Sequence, residues 1–252
     1  MSFISKLIPL FMVAFLCSSC DFSIRGSGNI APGEYEDHLT SEIDYIANFS
    51  NGFPNGFHIR NDRGNGSPFN CAFSSANVTF SNGSLNLSLT KTNSGYAGGE
   101  FRSNEVYGYG FYSTLMKPAK CSGVISSFFT YIGWPSWHEI DIEFLGNNTN
   151  IVQFNHYTNG VGGHEYYYEL GFDASLEYHE YGFSWNKNTL VYYVDGVAVY
   201  KTTASIPSVS GRIMMNIWNV HDSYKGWAGK FDDSKLPVTS SYKWIGYQAF
   251  NT

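Results

Sequence analysis

Three acidic residues stand two positions apart in the segment "SWHEIDIEFLG". Glu139, Asp141 and Glu143 alternate there with Ile140 and Ile142. Alternation of polar and apolar residues is the period of a half-buried β-strand, in which every second side chain points to the same face. The pattern predicts one strand with three carboxyl groups on one face. Carboxyl groups are depleted from strands and repel each other there, so the arrangement calls for a functional explanation.

Carboxyl groups at this spacing could cleave a glycosidic bond. Residues i and i+4 of a strand lie about 13 Å apart, but two glutamate side chains can lean toward each other over a shorter aspartate. Retaining glycosidases need two carboxyl groups roughly 5–5.5 Å apart, one as nucleophile and one as general acid/base. Crowding raises the pKa of at least one carboxyl group, which can then hold a proton near neutral pH.

Two other interpretations of the row remain open. Three carboxylates could bind calcium, which prefers oxygen ligands. They could also be solvated charges on an outer strand face, the usual state of surface Glu and Asp. Aromatic residues flank the row and make full solvation less favourable: Phe128, Phe129, Tyr131, Trp134, Trp137 and Phe144.

Composition predicts a single domain and argues against nucleic-acid binding. The chain has 252 residues, 43% hydrophobic and only 14% charged, which is enough for one domain with a sizeable core. Its net charge of -6 argues against a nucleic-acid or anionic-membrane surface. The 19 tyrosines and 6 tryptophans could stack on sugar rings, although filling of a sandwich core is an equal alternative for any single ring.

The N-terminal segment is typical of a targeting signal. Lys6 precedes the apolar run "LIPLFMVAFLCSSC", which predicts a signal peptide over residues 1–20. The run resembles a bacterial lipoprotein signal in which Cys20 is lipidated, and ordinary cleavage near Ser19 is the alternative. Residues 21–44 are predicted to be a tether. The protein is therefore expected to be secreted or lipid-anchored outside the cell, with Cys20 as its only membrane attachment.

Short strand-like runs separated by turn signals fill residues 45–252. Asn82-Gly83 and Asp195-Gly196 are typical of tight hairpin turns, and another turn is predicted at 186–188. Helical stripes are absent apart from a possible short helix near "SIPS" or "DSYKGW". The pattern predicts an all-β domain in which two antiparallel sheets pack as a sandwich. Export would permit a disulfide between Cys71 and Cys121, and two free buried thiols are equally compatible with the sequence.

The segment "EIDIEFLG" resembles the catalytic strand of glycoside hydrolase family 16, in its lichenase-like branch. Further segments resemble that branch in the same order, among them "YGYGFYSTLMKPAK", "VQFNHYTNGVGGHE", "YVDGVAVY" and "GRIMMNIWN". The resemblance implies a curved jelly roll with an open cleft on its concave face and a retaining double displacement. It assigns Glu139 as nucleophile, Glu143 as acid/base and Asp141 as the residue that assists both.

The resemblance also implies a set of substrate-binding residues. They are Asn65, Glu100, Arg102, Phe129, Tyr131, Trp137, Gln153, Asn155, Tyr157, Asn216, Trp218 and Trp227. Some have structural alternatives: an ion pair for Glu100 with Arg102, core packing for Phe129 and a turn position for Asn65. The polar residues of "VQFNHY" could instead form a ladder of satisfied strand side chains.

Several positions depart from the family pattern. His138 replaces the usual Asp before the nucleophile, and His156 replaces a Tyr and should face away from the cleft. The loop "GWPSW" is short and gains Trp134, so both changes near the scissile bond bear on linkage specificity. Gly98 stands where a cysteine partner of Cys71 is usual. Lys243 stands where lichenases often have a calcium-binding Asp, so we expect no required cofactor and at most a weak calcium site.

Together the residues predict a monomeric retaining endo-β-glucanase acting on mixed-linkage β-1,3-1,4-glucan. One alternative is the same hydrolase acting on another β-glucan or on an exopolysaccharide. Another is a non-catalytic carbohydrate-binding sandwich, which would gain nothing from three crowded carboxyl groups. A calcium-stabilised structural protein is a third.

Overall fold

Strands dominate residues 45–250, the part of the chain that the computed structural model describes. The strands are β1 (Tyr45–Asn48), β2 (Phe57–Ile59), β3 (Ala72–Phe73), β4 (Val78–Ser81), β5 (Ser84–Thr92), β6 (Gly95–Ser103), β7 (Gly110–Lys117), β8 (Val124–Ile132), β9 (His138–Leu145), β10 (Ile151–Tyr157), β11 (Tyr166–Glu169), β12 (His179–Trp185), β13 (Leu190–Val194), β14 (Val197–Thr202), β15 (Arg212–Asn219) and β16 (Val238–Ala249). The helix α1 covers Lys225–Ala228, and 3₁₀ turns cover Phe49–Asn51, Ser75–Asn77, Asp222–Tyr224 and Asp233–Lys235. The predicted signal peptide and tether lie outside the described residues.

The strands form a curved sandwich, as the sequence pattern predicts. One sheet has the order β11-β10-β9-β8-β15-β6, and we call it the cleft sheet. The other has the order β5-β16-β7-β12-β13-β14, and we call it the back sheet. Pairing of β5 with β6 connects the two sheets. Antiparallel pairing prevails, and β3 runs parallel to β6.

The predicted hairpin turns occur where the residue types require them. Asn82 and Gly83 connect β4 to β5 with φ values of 53° and 65°. Asp195 and Gly196 connect β13 to β14 with φ values of 48° and 75°. Positive φ at both central positions defines the tight turn that matches strand twist, and Asn-Gly and Asp-Gly tolerate it best. The helix α1 overlaps the "DSYKGW" segment, one of the two places where the sequence suggested a short helix.

Aromatic side chains fill the space between the sheets. Phe144 of the cleft sheet meets Tyr181 edge-to-face at 4.8 Å between ring centroids. Phe154 stacks on Tyr192 at 4.4 Å. All four rings are buried, and such pairs contribute about 0.5–1.5 kcal/mol beyond the area that they bury. Many of the chain's aromatic residues therefore serve the core.

The inward face of β9 fixes the orientation of its outward face. Ile140 and Ile142 are both fully buried, each contributing about 1.5–3 kcal/mol relative to exposure. A register slip of one residue would move the isoleucines to the cleft and the carboxyl groups into the core. The hydrophobic effect thus holds the three acidic side chains on the cleft face.

Cys71 and Cys121 are both buried free thiols. Burial raises the pKa of Cys71 to about 11, which keeps its thiol unreactive. A Cβ atom built on Gly98 would lie 3.2 Å from Cys71 Sγ but only 2.2 Å from the carbonyl oxygen of Ile217. The close backbone of β15 explains why glycine fits at this position.

In the described part of the chain, residues 45–250, no helix has the length and apolar character needed to span a membrane.

Candidate active site

The three carboxyl groups of β9 lie on the open face of the cleft sheet, near its centre. Glu139 pairs with Tyr131 of β8 and Tyr157 of β10, and Glu143 pairs with Ser127 and Gln153. Asp141 between them is only 5% exposed, whereas both glutamates are partly exposed. The two glutamates are therefore accessible to a ligand in the cleft, while the aspartate is enclosed by its neighbours.

Glu139 accepts two hydrogen bonds. Trp137 Nε1 donates to Glu139 Oε2 at 2.8 Å, and the Asp141 carboxyl donates to Glu139 as well. The Trp137 ring stacks on Tyr157 with the planes 13° apart. The hydrogen bonds from Trp137 and Asp141 stabilise the ionised form of Glu139, which is the form that a nucleophile needs.

Glu143 is held by a relay from the edge of the cleft. Gln153 Nε2 donates to Glu143 Oε2 at 2.7 Å, and Trp227 Nε1 donates to Gln153 Oε1 at 2.7 Å. The indole proton therefore fixes the amide orientation, which leaves the Gln153 NH₂ group facing the carboxyl group. Gln153 is buried, and Trp227 is half-buried at the start of the cleft.

Burial and mutual repulsion raise the pKa of all three carboxyl groups. Burial is the main cause for Glu139, whose pKa rises to about 7 against the lowering effect of its two donors. Burial and the charge of Glu139 raise the pKa of Glu143 to about 8. Burial and the two glutamates raise the pKa of Asp141 well above its usual range. The site favours protonated Asp141 and Glu143 beside an ionised Glu139.

Predicted binding residues on β8 and β15 continue the same face. Tyr131 is half-buried, while Phe129, opposite Asp141 on the same face, is 7% exposed and lies outside the hydrophobic core between the sheets. Asn216 on β15 accepts a hydrogen bond from Ser127 of β8. Ser127 was missed by sequence reasoning, although its spacing of two from Phe129 places it on the same face.

Glu100 is fully buried beneath the cleft surface. Arg102 Nη2 and Arg60 Nη1 approach its Oε1, the latter at 3.5 Å, and Asn216 Nδ2 donates to its Oε2 at 3.2 Å. Both carboxylate oxygens are therefore engaged, which supports the ion-pair alternative for Glu100. Arg102 keeps 23% of its side chain exposed.

Trp218 lies at the Glu143 end of the site, where its ring centroid is 6.0 Å from that of Trp227. Trp218 is 4% exposed because Phe69 stacks on it at 3.9 Å between centroids. Phe69 belongs to the loop between β2 and β3, and Asn65 is exposed on that same loop. The structure brings the loop to Trp218. Asn65 is not among the residues that form hydrogen bonds with the three carboxyl groups.

Glu165 is a further acidic neighbour that the sequence did not single out. It is exposed just before β11, and Asn155 Nδ2 donates to its Oε1 at 3.4 Å. Its charge contributes to raising the pKa of Asp141 and Glu143. Its place in "GGHEYYYE" gives no periodic signal, because the segment before β11 is a loop whose path only the fold defines.

A cavity of about 180 Å³ opens at the Glu143 end of the carboxyl row. Its lining comprises Leu145, Asn147, Asn148, Ile151, Gln153, Tyr167, Gly226 and Trp227. Gln153 lies at its border and also binds Glu143. The cleft therefore continues beyond the acidic residues toward β11 and α1.

A cation replaces the acidic calcium ligand considered from the sequence. Lys243 Nζ donates to the carbonyl oxygen of Asn82 at 3.2 Å and lies 4.8 Å from the centre of the Tyr178 ring. Among residues 45–250, no group of three or more His, Cys, Asp or Glu side chains has a metal-binding arrangement.

Comparison with known proteins identifies the family. The family model of glycosyl hydrolases family 16 matches residues 65–238, more than half of the chain. The chain belongs to glycosyl hydrolase family 16. This family 16 enzyme is a glycoside hydrolase, as the resemblance in its catalytic strand implied.

Relatives of this family 16 enzyme cover most of its length. A β-glucanase of Paenibacillus polymyxa is 50% identical over 73% of this chain and 78% of its own. A β-glucanase of Acetivibrio thermocellus is 46% identical over 81% of this chain and 62% of its own. The solved Bacillus licheniformis β-glucanase superposes with a TM-score of 0.79 and 42% identity, over 84% of this chain and all of the other. Laminarinase structures at about 20% identity share the fold.

Proposed function

We propose that the protein is a retaining endo-β-glucanase that hydrolyses mixed-linkage β-1,3-1,4-glucan. The carrying observation is the arrangement of Glu139, Asp141 and Glu143 on one open face, with neighbours that favour one ionised and two protonated carboxyl groups. A solved lichenase from a mouse hindgut metagenome, titled as a β-1,3-1,4-glucanase, is 42% identical to this chain with a TM-score of 0.78, over 81% of this chain and 98% of the other. This likeness supports the substrate class.

In the first step, Glu139 attacks the anomeric carbon and the bond from that carbon to the leaving oxygen breaks. Glu143 gives its proton to the leaving oxygen, so the departing chain ends in a hydroxyl group. In the second step, Glu143 takes a proton from water, and the resulting nucleophile displaces Glu139 from the anomeric carbon. The anomeric configuration is retained, and both glutamates return to their starting protonation states. Asp141 keeps its proton and donates to the Glu139 carboxylate, which helps to keep that group ionised.

Substrate choice is tested by reducing-sugar release on barley β-glucan, laminarin, carboxymethyl-cellulose and xyloglucan. Activity concentrated on barley β-glucan is expected. Cleavage of another polymer alone would move the specificity to a different β-glucan or exopolysaccharide. Hydrolysis of another polymer is a second candidate because of Trp134. Its side chain is 92% exposed on the short loop before β9, near the carboxyl row. Binding without cleavage of any polymer would indicate a carbohydrate-binding role.

Two substitutions test the assigned roles. Glu139→Ala should abolish hydrolysis and leave folding intact, because the side chain faces the open cleft rather than the core. Glu143→Ala should keep measurable cleavage of aryl glycosides with good leaving groups, since these need less protonation. Product release is followed at fixed protein concentration, with melting temperature as a control. Near-normal hydrolysis by a folded Glu139→Ala protein would refute the nucleophile assignment.

We further propose that the domain is monomeric, exported or lipid-anchored, and independent of calcium. Calcium independence is supported by the ammonium group of Lys243 beside Asn82. A chelator should leave both melting temperature and activity unchanged. A lower melting temperature in the chelator, restored by added calcium, would contradict this proposal.

A further inference from the structure

Two buried histidines lie behind the catalytic strands, on the faces that point away from the cleft. His138 begins β9 and is 3% exposed, and His156 on β10 is fully buried. Both also contact the same segment, residues 204–208 of the loop between β14 and β15.

Side-chain donors hold the carbonyl groups of this segment in place. His156 Nε2 lies 2.9 Å from the Ala204 carbonyl oxygen. Thr158 Oγ1 donates to the Ser205 carbonyl oxygen. Trp185 Nε1 donates to the Pro207 carbonyl oxygen at 2.8 Å. The donors come from β10, the turn after it, and β12. The segment is therefore fixed to both sheets and can serve as a rigid support.

His138 binds this support as an acceptor. The backbone N–H of Ser208 donates to His138 Nδ1 at 3.3 Å, so the ring proton belongs on Nε2. The ring also interacts with the Asn159 side chain, which partly opposes the lowering of the His138 pKa by burial. Burial lowers the pKa of His138 and favours the neutral ring that this pair of bonds requires. The imidazole thus joins the loop between β14 and β15 to the turn after β10.

The start of β9 needs such an anchor because the nucleophile lies there. Glu139 is the second residue of β9, and its partner Tyr157 is the last residue of β10. Strand ends open more easily than strand centres. Trp137, which donates to Glu139, lies just outside the strand, where its carbonyl oxygen accepts from Gly160 N–H at 2.9 Å.

We propose that His138 is a positioning residue that holds the Glu139 end of the catalytic strand against residues 204–208 and the Asn159 turn. It touches no substrate and acts through the backbone that it shares with Trp137 and Glu139. Loss of its hydrogen bonds should let the nucleophile leave its attacking position, while the sugar-binding surface on the other strands stays in place. The inference rests on the proposed hydrolysis by Glu139.

The test compares kcat and KM of three variants on a polysaccharide that the wild-type protein cleaves. His138→Ala removes both bonds, His138→Asn retains an amide oxygen that can accept from Ser208, and Asn159→Gly removes the second bond while permitting the positive φ of 52° at that position. His179→Ala is the matched control, because His179 binds Asp195 on the back sheet, away from the cleft. Melting temperatures establish that each variant is folded.

His138→Ala should lower kcat by about 10-fold to 100-fold, with KM nearly unchanged, since small misplacements of a reacting group have effects of this size. Asn159→Gly should lower kcat a few-fold, on the order of one hydrogen bond. His138→Asn keeps the Ser208 bond and loses the Asn159 contact, so it should likewise lower kcat only a few-fold. His179→Ala should stay near wild type. Wild-type kcat in folded His138→Ala, or a rise in KM alone, would overturn the inference.

Two further results separate the possible failures. If His138→Ala does not fold, Asn159→Gly decides, and wild-type kcat in that variant would overturn the inference. A wild-type protein that cleaves no β-glucan would instead show that the proposed function is wrong. The two failures are distinguishable because only the first occurs with an active wild-type protein.

Discussion

Glu139 and Glu143 have the same side chain and lie on the same strand, yet their surroundings favour different protonation states. Glu139 accepts from Trp137 and from Asp141, both of which stabilise its charge. Glu143 accepts from Gln153 but is repelled by Glu139. At the residue scale, the protonation states on which the proposed roles depend are therefore set by neighbouring side chains as much as by position on the strand.

The sequence predicted part of this arrangement. Spacing of two placed the carboxyl groups on one face, and crowding implied a raised pKa. The relay from Trp227 through Gln153 to Glu143 joins residues 74 and 10 positions apart, and no local pattern encodes it. The sequence resemblance named Gln153 and Trp227 as substrate contacts, and the structure shows that they are also bonded to each other.

Replacing Trp137 tests the charge state of Glu139, the proposed nucleophile. Trp137→Phe keeps a ring to stack on Tyr157 but removes the N–H that lowers the pKa of Glu139. The pKa of Glu139 should therefore rise further above its value of about 7, and the acidic limb of the kcat/KM profile should move to higher pH. Profiles of wild type, Trp137→Phe and the control Trp244→Phe provide the measurement. An unmoved or lowered acidic limb in Trp137→Phe would contradict the hydrogen-bond argument.

At the scale of elements, hairpins and strand faces were predictable, while the loops that surround the site were not. Asn82-Gly83 and the Ile-Asp-Ile alternation follow local rules of turn geometry and burial. The loop before β9 and the turn after β10 meet only because β9 and β10 pair. Long-range pairing is not written in any short segment, so their contact around Trp137 needed the structure.

Two glycines of the turn after β10 offer a matched test of that contact. A Cβ atom on Gly160 would lie 3.2 Å from the Trp137 ring, whereas one on Gly163 would have no neighbour within 4 Å. Both glycines have positive φ, 75° and 87°, so alanine strains the backbone at both. Gly160→Ala should lower kcat more than Gly163→Ala at similar losses of melting temperature. Equal kcat in the two variants would mean that the position of Trp137 does not matter.

At the scale of the whole molecule, the carboxyl row is a source of instability that depends on pH. Its members have raised pKa values in the folded protein and ordinary values, 3.8 or 4.5, when unfolded. The folded state consequently binds more protons than the unfolded state between these limits. By linkage, the contribution of the row to the free energy of unfolding is most favourable at low pH and is lost as the pH rises from about 4.5 to about 8.

Glu143→Gln should reveal this dependence, because the amide has the same shape and no charge. Its melting temperature should exceed that of wild type by more at pH 8 than at pH 5. Glu169→Gln on β11, where the side chain is exposed, controls for the loss of a surface charge. A gain that is the same at both pH values, or larger at pH 5, would show that the row does not destabilise the folded protein.

The pairing of the first and last strands has a consequence for how the domain can be rearranged. Tyr45 of β1 lies opposite Gly246 of β16, so the two ends of the described domain are neighbours in the back sheet. Closely spaced ends are compatible with circular permutation and with insertion of the whole domain into a loop of another protein. A short linker could join these ends, with new ones opened in the exposed turn at residues 186–188. Any fused partner would then leave from the back sheet, and the cleft would stay open to a long polymer.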